Sequence, residues 1–378
     1  MAELKIQFLD VGQGDGIFIE FPGGATMLVD LGSTKNKGTV NPDILTYFRT
    51  KTKYGMAGET LDYLVLTHGD LDHYNMVQVF LENLQVNVAR LMYSGIPSNY
   101  KVFKTQEATR ARSKANNLIE RIKELCPNVQ EIKPTGYFPT PLYHQNFGGA
   151  QVHLLAANTP GTLKQDEAWR KNTGSIVLML AYGKVRIILA GDATSDTERS
   201  IRGSYHLTPS ALSSHVLKVG HHGSRRTSNT VQWIKAVSPA FVFITADRHG
   251  SLDDDTATGH RLPQTLTLDL IGKHSKHLFQ QCEAHNVISA YDADDYKSYN
   301  KTPDEPNDNV TIPVQENQWL STVTKAGVFT SLVAMDVKQQ TGPVADQGAQ
   351  YQLSISDQSV IDITSTWEPS HLVSMQLT

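Results

Sequence analysis

A dense cluster of histidine and aspartate follows one apolar segment of the chain. Two histidines and two aspartates fall within six residues there, in the run His68-Gly69-Asp70-Leu71-Asp72-His73. Imidazole and carboxylate groups are the ligands that divalent zinc, manganese and iron accept in proteins. Because a rigid sheet positions loop side chains at the end of a buried strand, this spacing predicts a metal site.

Two later segments repeat this arrangement. Gly191-Asp192 and Gly220-His221-His222-Gly223 each place aspartate or histidine beside glycine, directly after an apolar segment. Glycine allows the backbone to approach another group closely. Either segment alone would be ordinary for a turn, but three such segments in one chain favour a shared site.

The apolar patterning indicates which elements position these motifs. Residues 61–67 are too continuously apolar to leave one face in water, so they predict a strand buried in a layered sheet. Residues 101–126 predict a long amphipathic helix with a locally basic polar face.

The chain is expected to contain two units. Residues 292–306 are rich in Asp, Lys, Asn and Pro and predict a linker or long loop. Beyond it the pattern alternates in the β manner. We therefore expect a main domain at 1–307 and a small β-rich C-terminal unit at 308–378, which could dock a protein partner.

Composition limits the classes of function. The 378 residues are 39% hydrophobic and 19% charged with a net charge of −4, so no global positive field is available to hold a polyanion. Two cysteines, Cys126 and Cys282, are too few for a disulfide framework. The N-terminus lacks a signal-peptide pattern, and no apolar run approaches the ~18 residues of a membrane span. We expect a cytoplasmic protein with no membrane contact.

The motifs together resemble the metallo-β-lactamase fold superfamily, and within it the ComEC-like branch, typified by the hydrolase domain of a DNA-uptake channel protein. Two N-terminal motifs add to the resemblance, Asp10-Val11-Gly12-Gln13-Gly14-Asp15 and Leu28-Val29-Asp30-Leu31-Gly32. All motifs stand in the family's order over residues 4–292. The resemblance implies an α/β fold, an αββα sandwich with two divalent metal ions at one edge, manganese or zinc, with magnesium as a further option.

The resemblance also implies a ligand set. The residues implied as metal ligands are His68 and Asp70 for the first ion, Asp72, His73 and His221 for the second, and Asp192 as the bridge. Asp70 stands where most of the superfamily has histidine, and a carboxylate there favours manganese or magnesium over zinc.

Further residues receive roles around these ligands. Residues implied to orient the ligands are Asp10, Asp30 and Asn172. His222 is expected to contact substrate, and His260 either to complete the site or to protonate a leaving group. Residues expected to take part in catalysis are thus Asp72, Asp192, His222 and His260.

Two adjacent divalent ions lower the pKa of a shared water and stabilise charge on a substrate oxygen. This chemistry suits phosphodiesters, thioesters, lactones and β-lactams. Four features favour a phosphodiester as the substrate. They are the carboxylate of Asp70, the basic segment 101–126, the nuclease-like character of the ComEC-like relatives, and the pair Arg225-Arg226, which could bind phosphate through bidentate hydrogen bonds. The leading hypothesis is a phosphodiesterase or nuclease that acts on nucleic acid or a nucleotide. The alternatives are a carboxylic ester, lactone or amide hydrolase, and a catalytically degenerate binding or sensor subunit.

Overall fold

Two β-sheets packed face to face, with helices on their outer faces, form the described part of the chain. The computed structural model describes residues 3–9, 11, 13–34, 40, 42–110, 112–134, 140–142, 147–160, 166–205, 209–246, 262, 267, 270–271, 328–330, 351–365 and 371–376. This arrangement confirms the expected αββα sandwich.

The first sheet contains nine described strands and the second contains seven. The strands are β1 (Glu3–Phe8), β2 (Gly16–Glu20), β3 (Thr26–Leu31), β4 (Thr60–Leu66), β5 (Asn87–Tyr93), β6 (Gln130–Ile132), β7 (Thr140–Leu142), β8 (Gln151–Ala156), β9 (Val177–Tyr182), β10 (Val185–Leu189), β11 (Val216–Lys218), β12 (Phe241–Ile244), β13 (Val328–Thr330), β14 (Tyr351–Ser356), β15 (Val360–Ser365) and β16 (His371–Gln376). The first sheet has the order β16-β15-β14-β1-β2-β3-β4-β5-β6, and the second β13-β12-β11-β10-β9-β8-β7.

Short helices cover the outer faces of both sheets. They are α1 (Pro42–Lys51), α2 (Leu71–Tyr74), α3 (Val77–Leu84), α4 (Gln106–Arg110), α5 (Leu118–Leu125), α6 (Glu167–Thr173), α7 (Ser195–Ser204) and α8 (Val231–Val237). Spanning a bilayer takes about 20 apolar residues, and the longest of these helices have 10. In the part of the chain that the structure describes, no helix could therefore cross a membrane.

Strand patterning explains the layers. In β9, Leu178 and Leu180 lie in the core between the sheets, whereas Val177 and Met179 pack in the core beneath α7 and α8. A strand with both faces buried reads as a continuous apolar run rather than an alternating one. The same reasoning applies to β4, whose position agrees with the strand expected at 61–67.

The C-terminal strands extend the first sheet. β14 pairs antiparallel with β1, and Leu4 lies opposite Ile355. Leu353, Ile355 and Ile361 are fully buried in the core between the sheets. The boundary expected at 307/308 lies outside the described residues, so the division into two units and a docked protein partner stay predictions.

The prediction of one long helix at 101–126 is wrong. Two short helices, α4 and α5, stand there, separated by residues without helical structure. Asn117 begins α5, because its side-chain oxygen accepts a 3.0 Å hydrogen bond from the Glu120 amide. Two of the basic residues in this segment are in ion pairs: Arg121 is buried against Glu82 and Glu124, and Lys123 pairs with Glu131.

We expect Ile355→Ala to lower the free energy of unfolding of the whole chain by about 2–5 kcal/mol, because it leaves a cavity in the core shared by both sheets. Urea unfolding would measure this loss. The control is Ser354→Ala on the same strand, which is half-buried. Equal free energies of unfolding for the two variants would contradict a structural role for the C-terminal strands in the first sheet.

Candidate metal centre

The predicted motifs meet at the carboxyl ends of parallel strands. Asp30 lies in β3, His68 follows β4, Asp192 follows β10 and the histidine pair follows β11. β3 and β4 are parallel neighbours in one sheet, and β10 and β11 in the other. The side chains at these strand ends therefore face each other across one edge of the sandwich. We call the set formed by His68, Asp70, Asp72, His73, Asp192, His221 and His222 the candidate metal centre.

Asp192 lies at the middle of the candidate metal centre, surrounded by the Nε2 atoms of its four histidines. The distances from Nε2 to the nearest Asp192 oxygen are 3.9 Å for His68, 3.2 Å for His73, 3.8 Å for His221 and 3.5 Å for His222. Two ligand atoms each ~2.1 Å from one tetrahedral ion lie about 3.4 Å apart. The spacing is thus the one that ligands of a common ion adopt.

A carboxylate and a backbone carbonyl orient two of these rings. His73 Nδ1 donates to Asp30 Oδ2 at 2.7 Å, and His222 Nδ1 donates to the Thr245 carbonyl at 2.9 Å. Because the acceptors carry no proton, the proton of each neutral ring lies on Nδ1. The Nε2 lone pair is then directed into the site, as metal-binding histidines require.

Threonine hydroxyls orient the other two rings. Thr67 Oγ1 donates to Asp30 Oδ2 at 2.5 Å and lies 3.1 Å from His68 Nδ1. Thr227 Oγ1 donates to Ser224 Oγ at 2.8 Å and lies 2.6 Å from His221 Nδ1. Since each hydroxyl proton is already committed, the hydroxyl accepts from the ring, and Nε2 is again left as the acceptor.

The buried polar atoms fit divalent cations. His68 Nε2, His73 Nε2, His222 Nε2 and Asp192 Oδ1 are buried and make no hydrogen bond to any residue that the structure describes. A buried polar atom without a partner costs free energy, so native proteins rarely leave one. Four such atoms around one point are satisfied together by cations, which need lone-pair donors.

The charges of the site also fit cations. Five carboxylates line this edge, from Asp15, Asp30, Asp70, Asp72 and Asp192. Beneath them Lys218 contributes one buried positive charge. Lys171 adds a second positive charge at the rim, beside Asp70. The named carboxylates still outnumber these lysines, so the site carries a net negative charge that divalent ions would offset.

The electrostatic environment separates the titratable groups. Burial raises the pKa of Asp192, but the neighbouring His222, His73 and His221 outweigh this effect and hold it well below the usual value. Burial lowers the pKa of His221 to about 4, against the attraction of Asp192. These shifts keep a neutral His221 beside an ionised Asp192. Burial also lowers the pKa of His73 and of His222, but Asp192 outweighs burial and raises both, so these two rings would release a proton when they bind metal.

Geometry groups the ligand atoms into overlapping sets. His68, His73 and Asp192 form one set, and Asp72, His73 and His222 form another. His222 therefore stands among the candidate ligands, although the sequence favoured His221 of this pair. Asp70 Oδ2 lies 3.7 Å from His68 Nε2 at the exposed rim. The division of these residues between two ions stays a prediction.

Backbone strain is concentrated at this edge. Asp30, His221 and His222 have left-handed backbones, with φ of 57°, 47° and 49°, a region that residues other than glycine seldom occupy. The Asn229 amide restrains the histidine loop by donating to the carbonyls of Gly220 (2.9 Å) and Ser224 (2.8 Å). Such strain is retained at sites where it orients functional groups.

Two glycines of the N-terminal motifs allow the backbone there to pack closely against the Asp72-His73 backbone. A Cβ atom on Gly32 would lie 2.4 Å from the Asp72 carbonyl carbon, and one on Gly14 would lie 2.6 Å from the Asp72 oxygen. Both contacts are shorter than real Cβ atoms allow. The N-terminal loop and β3 can therefore pack directly on the Asp72-His73 backbone.

Five further residues were assigned to the site from the sequence. Asp10 and His260 are outside the described residues, so their roles stay predictions. Asn172 is buried at the end of α6, and its Oδ1 makes no hydrogen bond within the described chain. Arg226 is exposed, whereas the Arg225 side chain is only 1% exposed. Burial raises the pKa of Glu198 to about 7, and the charge of Arg225 opposes this shift.

Sequence reasoning missed the support beneath the candidate metal centre. The Lys218 ammonium forms a short ion pair with Asp15 and donates to the Gly191 carbonyl at 3.1 Å. Asp15 also accepts from the Thr245 hydroxyl and lies 3.7 Å from His73. A lysine inside an otherwise apolar strand was the available signal, since buried lysine occurs almost only with a partner.

We expect Lys218→Met to lower the free energy of unfolding by about 3–5 kcal/mol, because it leaves the buried Asp15 carboxylate without its counter-charge. Urea denaturation of the manganese-loaded protein measures the loss. Lys235→Met, at an exposed position on α8, is the control. A Lys218→Met protein as stable as this control would refute the pairing.

Comparison with known proteins agrees with the site. Residues 9–230 match the family model of the metallo-beta-lactamase superfamily. ComE operon protein 3 of Bacillus subtilis (strain 168) is 26% identical over 287 residues, which cover 72% of this chain and 31% of that protein. The chain thus spans about a third of this relative's length.

Similar solved structures include enzymes of several kinds. CmlA, a diiron β-hydroxylase from Streptomyces venezuelae, is 15% identical with a TM-score of 0.40, over 72% of this chain and 51% of that one. Igni18, a metallo hydrolase from Ignicoccus hospitalis, is 13% identical with a TM-score of 0.33, over 63% and 81%. Likenesses of this size do not transfer a site. The family model matches more than half of the chain and indicates a metal-dependent hydrolase, so the protein belongs to the metallo-β-lactamase superfamily, and its similarity to ComE operon protein 3 confirms the predicted ComEC-like branch.

Proposed function

We propose that this protein is a phosphodiesterase that acts on nucleic acid or a nucleotide, with two divalent ions, manganese or zinc, as its cofactors. The carboxylate-rich candidate metal centre carries this proposal. Carboxylate oxygens are hard ligands that suit manganese and magnesium, and these ions in turn suit phosphate oxygens. Asp70 contributes to this character at the rim, where a substrate arrives.

The excess negative charge explains why a phosphodiester needs the ions. An anionic substrate is repelled by five carboxylates with one buried lysine among them. Two divalent ions bound there would offset this negative charge, and they would supply an activated water and stabilise charge on phosphate. Asp192 and the four imidazoles hold the ions in place, and the hydrogen bonds on Nδ1 fix the rings.

Positive side chains at the rim favour an anionic substrate. Lys171 Nζ lies 3.8 Å from Asp70 Oδ1, and its side chain is 23% exposed. The exposed Arg226 follows the histidine loop. Both groups can contact non-bridging phosphate oxygens. In this proposal His260, as predicted from the sequence, supplies the proton to the leaving group.

We expect His73→Ala and Asp192→Ala each to remove at least one equivalent of bound metal and to abolish turnover, because His73 belongs to both candidate sets and Asp192 lies among the four histidines. Elemental analysis and hydrolysis of bis(4-nitrophenyl) phosphate measure the two effects. Asp357→Ala, in the exposed turn after β14, is the control. Wild-type metal content and rate in either variant would refute the assignment of the site.

We expect Arg226→Ala to raise KM for bis(4-nitrophenyl) phosphate about tenfold, the loss of one charge-assisted hydrogen bond, without changing KM for an uncharged lactone. Steady-state kinetics with manganese measure both constants. An equal rise in KM for both substrates would contradict phosphate recognition by Arg226. Faster hydrolysis of the lactone than of any phosphodiester would favour a carboxylic ester hydrolase, and absence of both metal and turnover would favour a binding subunit.

A further inference from the structure

We propose that a cavity beside Asp70 is the subsite for the nucleotide unit next to the scissile phosphate, with Lys171 as its phosphate contact and Thr159 as a hydroxyl partner. This inference rests on the proposed function and extends it to the substrate class. The cavity has a volume of about 330 Å³, within the range of small-molecule sites. Its lining includes Gly69, Ser94, Asn99, Thr159, Arg170 and Lys171.

The cavity adjoins the candidate metal centre at Gly69 and Lys171. Gly69, which lines it, stands between His68 and Asp70 in the chain. Asp70 faces both sides: Oδ2 lies 3.7 Å from His68 Nε2, and Oδ1 lies 3.8 Å from Lys171 Nζ. A substrate chain whose reacting phosphate lies at the ions therefore places its neighbouring unit in this cavity.

Lys171 is held in position for an anion. Glu167, one turn earlier on α6, lies 3.2 Å from its ammonium, and Asp70 lies on the other side. Lysine binds phosphate as a point charge, and a side chain already restrained loses less rotamer entropy on binding. The exposed Arg170 lines the same cavity.

The wall opposite α6 is rigid and strained. Asn158 has a left-handed backbone, with φ of 52°. Its side-chain oxygen accepts from the Gly95 amide at 2.6 Å and from Ser94 Oγ at 3.1 Å, and its amide donates to the Pro134 carbonyl at 3.0 Å. This clamp joins the loop after β8 to the loop after β5, so the cavity is preformed.

Thr159 supplies an unused polar group at this wall. The residue is only 6% exposed and lines the cavity, and its Oγ1 makes no hydrogen bond to the described residues. A buried hydroxyl without a partner is costly, and a sugar or base polar atom in the cavity would satisfy it. A cation, a neutral hydroxyl and a volume of this size together suit a nucleotide better than inorganic phosphate.

The test is the affinity of the manganese-loaded protein for 2′-deoxythymidine 5′-monophosphate and for inorganic phosphate, measured by calorimetry. We expect the nucleotide to bind more tightly than phosphate. Lys171→Gln should weaken nucleotide binding about tenfold and Thr159→Val about threefold, with unchanged metal content. Lys235→Gln, on the exposed surface of α8, should bind as wild type.

Two results would overturn the subsite: nucleotide affinity no higher than phosphate affinity, or wild-type affinity in both Lys171→Gln and Thr159→Val. If phosphodiesters are hydrolysed while either result is found, the proposed function stands and the subsite alone fails. If the variants weaken nucleotide binding but no phosphodiester is hydrolysed, the subsite stands and the proposed function fails.

Discussion

The concentration of negative charge around Asp192 is the constraint on which the site depends. Four imidazoles direct Nε2 at this carboxylate, and further carboxylates stand behind and beside them. Such a cluster is costly in a buried edge of a protein unless cations neutralise it. The orientation of every ring, with Nδ1 committed to a neighbour, leaves the lone pairs where cations would use them.

The two sheets supply the support that this cluster needs. Lys218 on β11 reaches across to Asp15 in the N-terminal loop, and the Thr245 hydroxyl after β12 binds the same carboxylate. Asp30 on β3 binds His73 and the Thr67 amide. Residues of the second sheet thus hold Asp15 of the first, and Asp15 lies 3.7 Å from the His73 ring. The strained backbone of the histidine loop is kept by the Asn229 amide.

Charge at the site and charge at its rim have different consequences. The buried carboxylates favour cations, whereas Lys171 is partly exposed and Arg226 is exposed, so in the proposed function these two side chains would meet an anionic substrate. Arg225 does not share this role, since its side chain is buried. In the proposed phosphodiesterase, recognition of the substrate would therefore be concentrated beside Asp70 and α6 more than beside the arginine pair.

Local sequence was enough to predict the strand pattern, the three polar motifs and the family resemblance. In each motif the apolar run and the candidate ligand residues lie within a few positions of each other. The prediction of one long helix at 101–126 was wrong, because apolar periodicity does not show where a capping residue such as Asn117 begins a new helix. Three features depended on contacts between distant segments: the imidazole nitrogen that faces the site, the place of His222 among the candidate ligands, and the burial of Arg225. His73 and Asp30 are 43 positions apart, and Lys218 and Asp15 are 203 apart. Such pairs arise when two sheets pack, because the carboxyl ends of their strands then share one edge.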